Sequence, residues 1–331
     1  MAAPRIHLLI LTHTTRHLDL ALAALALQTS PPDSVCVSTD TDDPAIADLI
    51  DTIWPRVGAR LARNTRPAPP LRHVSRPHSG QARLNQVRNN GLRAIGEAAH
   101  AAPHDLIVIL DGDTMLAEDA VARYRAFAAA GVELVVPFRI NLDERATTKL
   151  SRDLLLSPDP TAPPPLMHLA SAGEYEALET RDLRYRRQLR QRRGPLGRAG
   201  LVKNHKPKVL GGHHAVSWRA FQAINGYDER YIGWGFDDDE LTRRLHMMRP
   251  APKTEIAVSR ILAFHLWHES RAPRRLNESP GHALFKARPH PRLAVNGLTN
   301  PIDQAPPNVR TVSPKPTLDA PSDHATEPVN P

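Results

Sequence analysis

The chain has 331 residues, 41% of them hydrophobic, enough for one large α/β domain or two small ones built on a packed core. No stretch reaches the ~20 consecutive apolar residues that span a bilayer, and the single cysteine, Cys36, excludes an intramolecular disulfide. A formal net charge of +8 predicts affinity for anions without naming which.

Residues 6–11 form an apolar run followed by polar residues, which fits a first core strand better than a signal peptide. A cytoplasmic location is therefore expected. Residues 19–28 read as a helix. Residues 34–38 read as a second strand, with Cys36 as a small core hydrophobe. Residues 44–53 read as a short second helix and 71–75 as a third strand. From 81 to 100 the positions Leu84, Val87, Gly91, Ile95 and Ala98 recur at helical spacing. Residues 106–110 are apolar throughout, as expected of a strand covered on both faces. A helix over 118–130 ends at Gly131, a usual C-terminal cap, and a strand over 132–136 stops at Pro137. Prolines cluster near 55–77, 158–165, 250–252, 273–292 and 301–331, which marks those stretches as loops and a tail.

Strands alternating with helices predict an α/β fold with a doubly wound, mostly parallel sheet and helices on both faces. Ligands of such sheets bind at the carboxyl ends of the strands, where Asp111 and Asp113 lie. The pattern breaks at 141–208, a proline- and arginine-rich insertion expected to be partly mobile. Residues 174–191 are polar with helical character. Eleven cations crowd 181–208: Arg181, Arg184, Arg186, Arg187, Arg190, Arg192, Arg193, Arg198, Lys203, Lys206 and Lys208. Aromatic residues are scarce there, which argues against stacking on single-stranded nucleic acid. Nucleotide-sugar phosphates, an anionic glycan or lipid headgroups at the inner face of a membrane fit the charge equally well. Core-like sequence resumes at 209 and runs to about 269. Beyond Thr299 the chain is polar and proline-rich, and disorder is expected.

Two acidic clusters carry the chemistry. Asp111-Gly112-Asp113 follows a buried strand; Asp-Gly is also a common turn dipeptide, but its carboxylates are hard ligands suited to Mg²⁺ or Mn²⁺. Asp237-Asp238-Asp239-Glu240 opens a helix, where acids are ordinary partners of the helix dipole. Asp237 and Glu240 have the spacing of a capping box, and Asp239/Arg243 and Glu240/Arg244 are i,i+4 pairs. Asp238 lies one turn before Leu241 on the buried stripe of Leu241, Leu245 and Met248, so its side chain should point inward. Like-charged neighbours would raise its pKa, which suits a general base. His265 and His268 can share a metal ion, although chance pairs are expected among 17 histidines. Gly211-Gly212 reads as a turn of close backbone approach, with metal binding by His213 and His214 the lesser option.

In this order the blocks resemble nucleotide-sugar glycosyltransferases of the GT-A fold. The N-terminal part is similar to the family 2 group: residues 10–16 match its first strand and nucleotide loop, residues 81–92 its helix ending Ala-Arg-Asn-Ala-Gly-Leu, and Asp111-Gly112-Asp113 its Asp-X-Asp motif. Residues 211–245, with Gly211-Gly212, Asn225-Gly226-Tyr227-Asp228-Glu229 and Gly233-Trp234-Gly235-Phe236-Asp237-Asp238-Asp239, resemble the C-terminal domain of β-1,4-galactosyltransferases. The resemblance implies Asp238 as the catalytic base, with Trp234, Gly235, Asp237, Asp239 and Gly212 around the acceptor and donor sugars. It implies Thr12, Asp40, Arg88 and Asp111 as nucleotide contacts, and Asp113, His265 and His268 as ligands of Mn²⁺ or Mg²⁺. Residues 1–140 would then be the nucleotide-sugar half, 141–208 the insertion, 209–298 the acceptor half and 299–331 a disordered tail. Phe236 stands where the family has a glycine, and Asp237 where it has glutamate; both bear on sugar specificity. The implied reaction moves a galactose- or N-acetylhexosamine-type sugar from a UDP-sugar to a glycan or other hydroxyl acceptor, with inversion. Two other readings remain at this point. A sugar-phosphate nucleotidyltransferase also uses paired acids, but Thr12 to Arg16 lacks its glycine-rich loop. A non-catalytic binder of anionic polymers through 181–208 leaves the acidic cluster unexplained.

Overall fold

A mostly apolar strand must be covered on both faces, and β1 (Ile6–Thr12) is: Ile6, Leu8, Leu9 and Ile10 are buried. It lies near the middle of the larger of two sheets in the computed structural model, which describes residues 2–159, 166–203, 205–269 and 279–312. The first half follows in order as α1 (Leu18–Ala24), β2 (Ser34–Thr39), α2 (Pro44–Arg63), β3 (Leu71–Ser75), α3 (Leu84–Ala98), β4 (Leu106–Asp111), β5 (Thr114–Leu116), α4 (Ala120–Ala129), β6 (Leu134–Val136) and β7 (Ile140–Asn141). The second half has α5 (Glu144–Thr148), α6 (Arg152–Leu155), α7 (Ala172–Arg193), α8 (Pro195–Arg198), β8 (His213–Ser217), α9 (Trp218–Ala223), α10 (Asp237–Met247), β9 (Thr254–Ile256), β10 (Ala263–His265), α11 (Gly281–Lys286) and β11 (Asn308–Val312).

The eight-stranded sheet has the order β11-β3-β2-β1-β4-β8-β6-β9. Its strands run the same way except β8 and β11, which are antiparallel to their neighbours. A mostly parallel α/β sheet is thus the architecture, as the sequence predicts. The three-stranded sheet β5-β10-β7 sits beyond the end of β4.

Two of these pairings position the site. Because β8 runs against β4, its first residue, His213, pairs with Leu110 near the carboxyl end of β4. Gly211-Gly212, just before β8, is thereby brought to the acidic turn after β4, and the Asp111 amide donates to the Gly212 carbonyl at 3.1 Å. In the small sheet His265 pairs with Thr114, and the Leu266 amide donates to the Asp113 carbonyl at 2.9 Å.

Two expectations need correction. Helix α2 does not stop at residue 53; it runs through Pro55 to Arg63. Proline costs that helix one backbone hydrogen bond, but Ile46, Ile50, Ile53, Trp54, Val57 and Leu61 bury one continuous stripe across the interruption. The tail is not wholly without structure from residue 299: β11 adds an antiparallel edge strand to β3, and Arg310 pairs with Asp51 at 2.7 Å. Residues 313–331 lie outside the described residues, as does the proline run 160–165 of the insertion. The insertion itself holds α5, α6, α7 and α8, and α7 opens with a full capping box between Ser171 and Glu174.

Candidate active site

The sheet leaves Asp111 and Asp113 where β4 ends, one on each side of Gly112. The Gly112 amide donates to the Leu11 carbonyl at 2.7 Å, and a β-carbon on Gly112 would stand 2.8 Å from Cβ of Thr12. The predicted nucleotide loop and the acidic turn are therefore packed backbone to backbone. Thr12 itself donates to the Thr14 carbonyl at 2.6 Å and shapes that loop. His17, which follows the loop and caps α1, has a φ of 63° and pairs through Nε2 with the Trp267 carbonyl at 2.9 Å.

Asp113 faces two imidazoles. His265 Nε2 is 3.4 Å from its Oδ1, and His268 Nε2 is 3.1 Å from its Oδ2. One ligand atom from each of the three residues lies within 4.8 Å of the others. Asp113 Oδ1 is buried and makes no hydrogen bond, a costly state for a carboxylate oxygen unless a cation meets it. The group fits a divalent metal ion. Burial alone would raise the Asp113 pKa, but the nearby His265, with Arg139 and His268, holds it below the ordinary value. Asp111 moves the other way, raised by burial and then by the adjacent Asp113, with Arg139 and Arg88 opposing. Arg139 Nη1 is 3.1 Å from Asp111 Oδ2.

Across Gly211-Gly212 lies the second acidic cluster. A β-carbon on Gly212 would fall 1.9 Å from Asp111 Oδ2, and one on Gly211 would fall 3.7 Å from Cβ of Asp238. The two glycines are the common wall of both clusters. Helix α10 begins there because Gly233, Gly235 and Phe236 all take positive φ, at 80°, 112° and 67°. Phe236 keeps the left-handed backbone that a glycine would adopt, and its ring stacks on Phe285 at 5.1 Å between centroids. Phe236 is also the N-cap, with no side-chain bond, so the predicted capping box at Asp237 and Glu240 does not form. Asp237 instead meets the fully buried Arg88 at 2.5 Å. Glu240 forms a buried bidentate pair with Arg244, at 2.6 and 2.8 Å. The expected Asp239–Arg243 pair is replaced by Asp239 with Lys206 and Lys208, each at 3.4 Å.

Asp238 turns inward as expected. Its Oδ2 is 3.2 Å from Lys208 Nζ, and its Oδ1 accepts from the Asp239 amide at 2.8 Å. Burial, then Asp237, raises its pKa, with Lys208 opposing. Lys208 is held charged because Asp238 and Asp239 outweigh the cost of its burial.

The remaining predicted residues are placed less directly. Arg88 spends its guanidinium on protein: Asn85 at 2.7 Å, Asp237, and the Gly211 carbonyl at 3.2 Å, with the Tyr227 ring 5.0 Å away. Asp40 accepts from the Arg83 amide at 2.9 Å and so ties the start of α3. Trp234 is 51% exposed, and its carbonyl accepts from Ser279 Oγ at 2.5 Å. A β-carbon on Gly235 would lie 2.7 Å from that same Oγ. His213 and His214 are not ligands. Each is buried between a backbone carbonyl and a tyrosine hydroxyl: Phe138 and Tyr124 for His213, Leu210 and Tyr227 for His214.

Sequence reasoning missed Arg139 and the pairing role of Lys208. Arg139 follows Pro137 at the carboxyl end of β6, the edge where sheet ligands bind, and that position was its available signal.

A family model described as the N-terminal domain of galactosyltransferase matches residues 200–252. That segment is galactosyltransferase-like. It encloses residues 211–245, on which the sequence resemblance rests, though the resemblance named a C-terminal domain. No curated protein matches the chain. Solved structures of the GT-A fold resemble it distantly. GalNAc-T7 with UDP, GalNAc and Mn²⁺ is 13% identical at a TM-score of 0.48, over 85% of this chain and 47% of that one. TarS of S. aureus is 11% identical at 0.45, over 80% and 37%. Glucosyl-3-phosphoglycerate synthase from Mycobacterium tuberculosis, in complex with phosphoglyceric acid, is 10% identical at 0.38, over 81% and 73%. The chain thus spans half or less of the length of the first two. Among the described residues no helix is long and apolar enough to cross a membrane.

Proposed function

We propose that the protein is an inverting, metal-dependent glycosyltransferase that moves a hexosyl or N-acetylhexosaminyl group from a UDP-sugar to an acceptor hydroxyl. The observation that carries this reading is the shared wall: Gly211-Gly212 stands against Asp111 on one side and Asp238 on the other. Asp111, two residues before Asp113 of the metal-binding donor set, and the half-buried Asp238 carboxylate of raised pKa then border one glycine turn. The galactosyltransferase-like segment 200–252 contains both the turn and Asp238.

Asp113, His265 and His268 would hold Mn²⁺ or Mg²⁺, which when bound offsets charge on the departing diphosphate. Asp111, fixed by Arg139, contacts the nucleoside, and the loop from Thr12 shapes the pocket beside it. The acceptor hydroxyl gives its proton to the Asp238 carboxylate. Its oxygen bonds the anomeric carbon from the face opposite UDP, and the bond from that carbon to the diphosphate oxygen breaks with its electron pair leaving on UDP. Lys208 keeps Asp238 ionised against its burial, so that it can accept the proton. Trp234 and Asp237 border the sugars, with Asp237 held in place by Arg88.

UDP release from a panel of UDP-sugars with Mn²⁺, with and without a mixture of glycan acceptors, tests the reading. A metal-dependent release that Asp238→Asn lowers by about 10² to 10⁴, with UDP-sugar binding intact, is expected. Release of pyrophosphate from UTP and a sugar phosphate, or no nucleotide affinity at all, would sink it.

A further inference from the structure

One cavity lies outside the machinery described above. It measures about 880 Å³ and lies between the end of α7, α8, the second half of α10 and the segment 285–290. Among the described residues that line it, seven are Arg or Lys, three are His and none is Asp or Glu. The fold builds this wall with care. A β-carbon on Gly197 would stand 1.8 Å from the Arg192 carbonyl, so a glycine is needed for α8 to fold back on α7. Arg243 enters from α10, only 1% or less exposed by residue, stacked over Phe285 at 4.3 Å and bonded to its carbonyl at 3.0 Å. Its Nε is buried without a partner. Of the acids on α10, Asp239 is paired with Lys206 and Lys208, and Glu240 with Arg244.

Such a concentration of like charge, partly desolvated and without counter-charge, is costly and is relieved by an anion. The pKa values agree: Arg192 is lowered by burial and by Arg249, and His290 by burial and then by Arg243 and Arg288. The volume is that of a small-molecule site, and a cluster of guanidinium groups suits phosphate oxygens above other anions.

We propose that this cavity binds a phosphate ester and, resting on the glycosyltransferase reading, that it receives the phosphate-bearing part of the acceptor. The two places lie on different sides of α10: Arg243 follows Asp238 by five helical residues, about 7.5 Å along the axis and about 140° around it. An aromatic wall links the two places: His205 packs on Phe285, and Phe285 on Phe236, the residue before Asp237.

The test is calorimetric titration of the full chain with inorganic pyrophosphate in EDTA, which removes the cation from the proposed donor site. Flotation with phosphatidylglycerol vesicles, in parallel, separates a lipid-borne phosphate from a soluble one. The triple variant Arg193→Gln, Lys203→Gln, Arg249→Gln changes exposed side chains that line the cavity. We expect it to weaken binding to pyrophosphate or vesicles at least tenfold. Without anion its melting temperature should equal or exceed that of the parent, since like charges have been removed; a merely structural set of cations would lower it. No binding to either probe, or binding unchanged by the triple substitution, overturns the proposal. Failure of UDP-sugar turnover with anion binding intact would instead remove the transferase reading and leave the cavity standing.

Discussion

Gly212 and Asp111 are packed so closely that a single methyl group cannot come between them. A β-carbon on Gly212 would lie 1.9 Å from Asp111 Oδ2 and 2.8 Å from Arg139 Nη1, whereas one on Gly211 would first meet the Arg88 guanidinium at 3.3 Å. Gly212→Ala should displace the Asp111 carboxylate, and a displacement of about 1 Å at such a site costs about 100-fold in turnover. Gly211→Ala needs only a few tenths of an ångström from a side-chain end and should cost under about tenfold. Steady-state UDP release by the two variants checks this. Equal losses would mean that the wall is not what aligns the acids.

In the proposed mechanism Asp238 and Lys208 set the acid limb of the pH–rate profile. The base must be ionised to work, and burial already raises its pKa while Lys208 opposes. Lys208→Met removes the opposing charge, so the Asp238 pKa should rise further and the acid limb of kcat/KM should move to higher pH. Asp238→Asn should lower kcat by about 10² to 10⁴, the usual worth of a general base, with UDP-sugar affinity unchanged. A Lys208→Met profile shifted toward lower pH would contradict the pairing.

Much of this was legible beforehand, for identifiable reasons. β1 and β4 are largely apolar and β2 carries the apolar Val35-Cys36-Val37, and the bounds of β1 to β4 come within a residue of the expected ones. The acids at the end of β4 follow from strand polarity alone. What local pattern could not give is what distant pairing decides. β8 is five residues long, yet its insertion against β4 delivers Gly211-Gly212 to Asp111. β11 lies in a proline-rich tail and exists because β3 has a free edge. The capping box at Asp237 fails because Phe236 takes the left-handed turn and Arg88, 149 positions away, claims the carboxylate. His213 and His214 look like ligands until their tyrosine partners are seen.

Those two histidines predict an acid-sensitive fold. In each, Nδ1–H donates to a carbonyl and Nε2 accepts from a tyrosine hydroxyl, which requires the neutral ring. Burial, the first cause, lowers His213 to about 4 and His214 to about 3. The unfolded chain therefore binds more protons than the native one between about pH 6.5 and 4, and stability must fall as pH falls through that window. Each histidine contributes a slope of about 1.4 kcal/mol per pH unit there. Urea unfolding at pH 7 and pH 5 measures it. His213→Gln should flatten the slope while lowering stability at pH 7; an unchanged slope would mean the ring is already charged in the native state.

The pair Glu240–Arg244 ties α10 to the turn at Asn225-Gly226. Arg244 forks onto both carboxylate oxygens, and its Nη1 also donates to the Ile224 and Gly226 carbonyls at 2.7 Å each, so the turn at Asn225-Gly226 and α10 are fixed together. Both side chains are almost fully buried. Arg244→Ala leaves Glu240 without a counter-charge and two carbonyls without a donor, which should cost about 3–5 kcal/mol. Arg244→Lys keeps the charge but not the planar fork, so it should recover only part of that. The double variant Glu240→Leu, Arg244→Met removes the charge imbalance and should be less destabilised than Arg244→Ala alone, because the cost of breaking the pair is chiefly that of the orphaned carboxylate. Urea midpoints of the three variants decide the matter: if the double variant is the least stable, the pair stabilises by its own attraction and not by avoiding a buried unpaired charge.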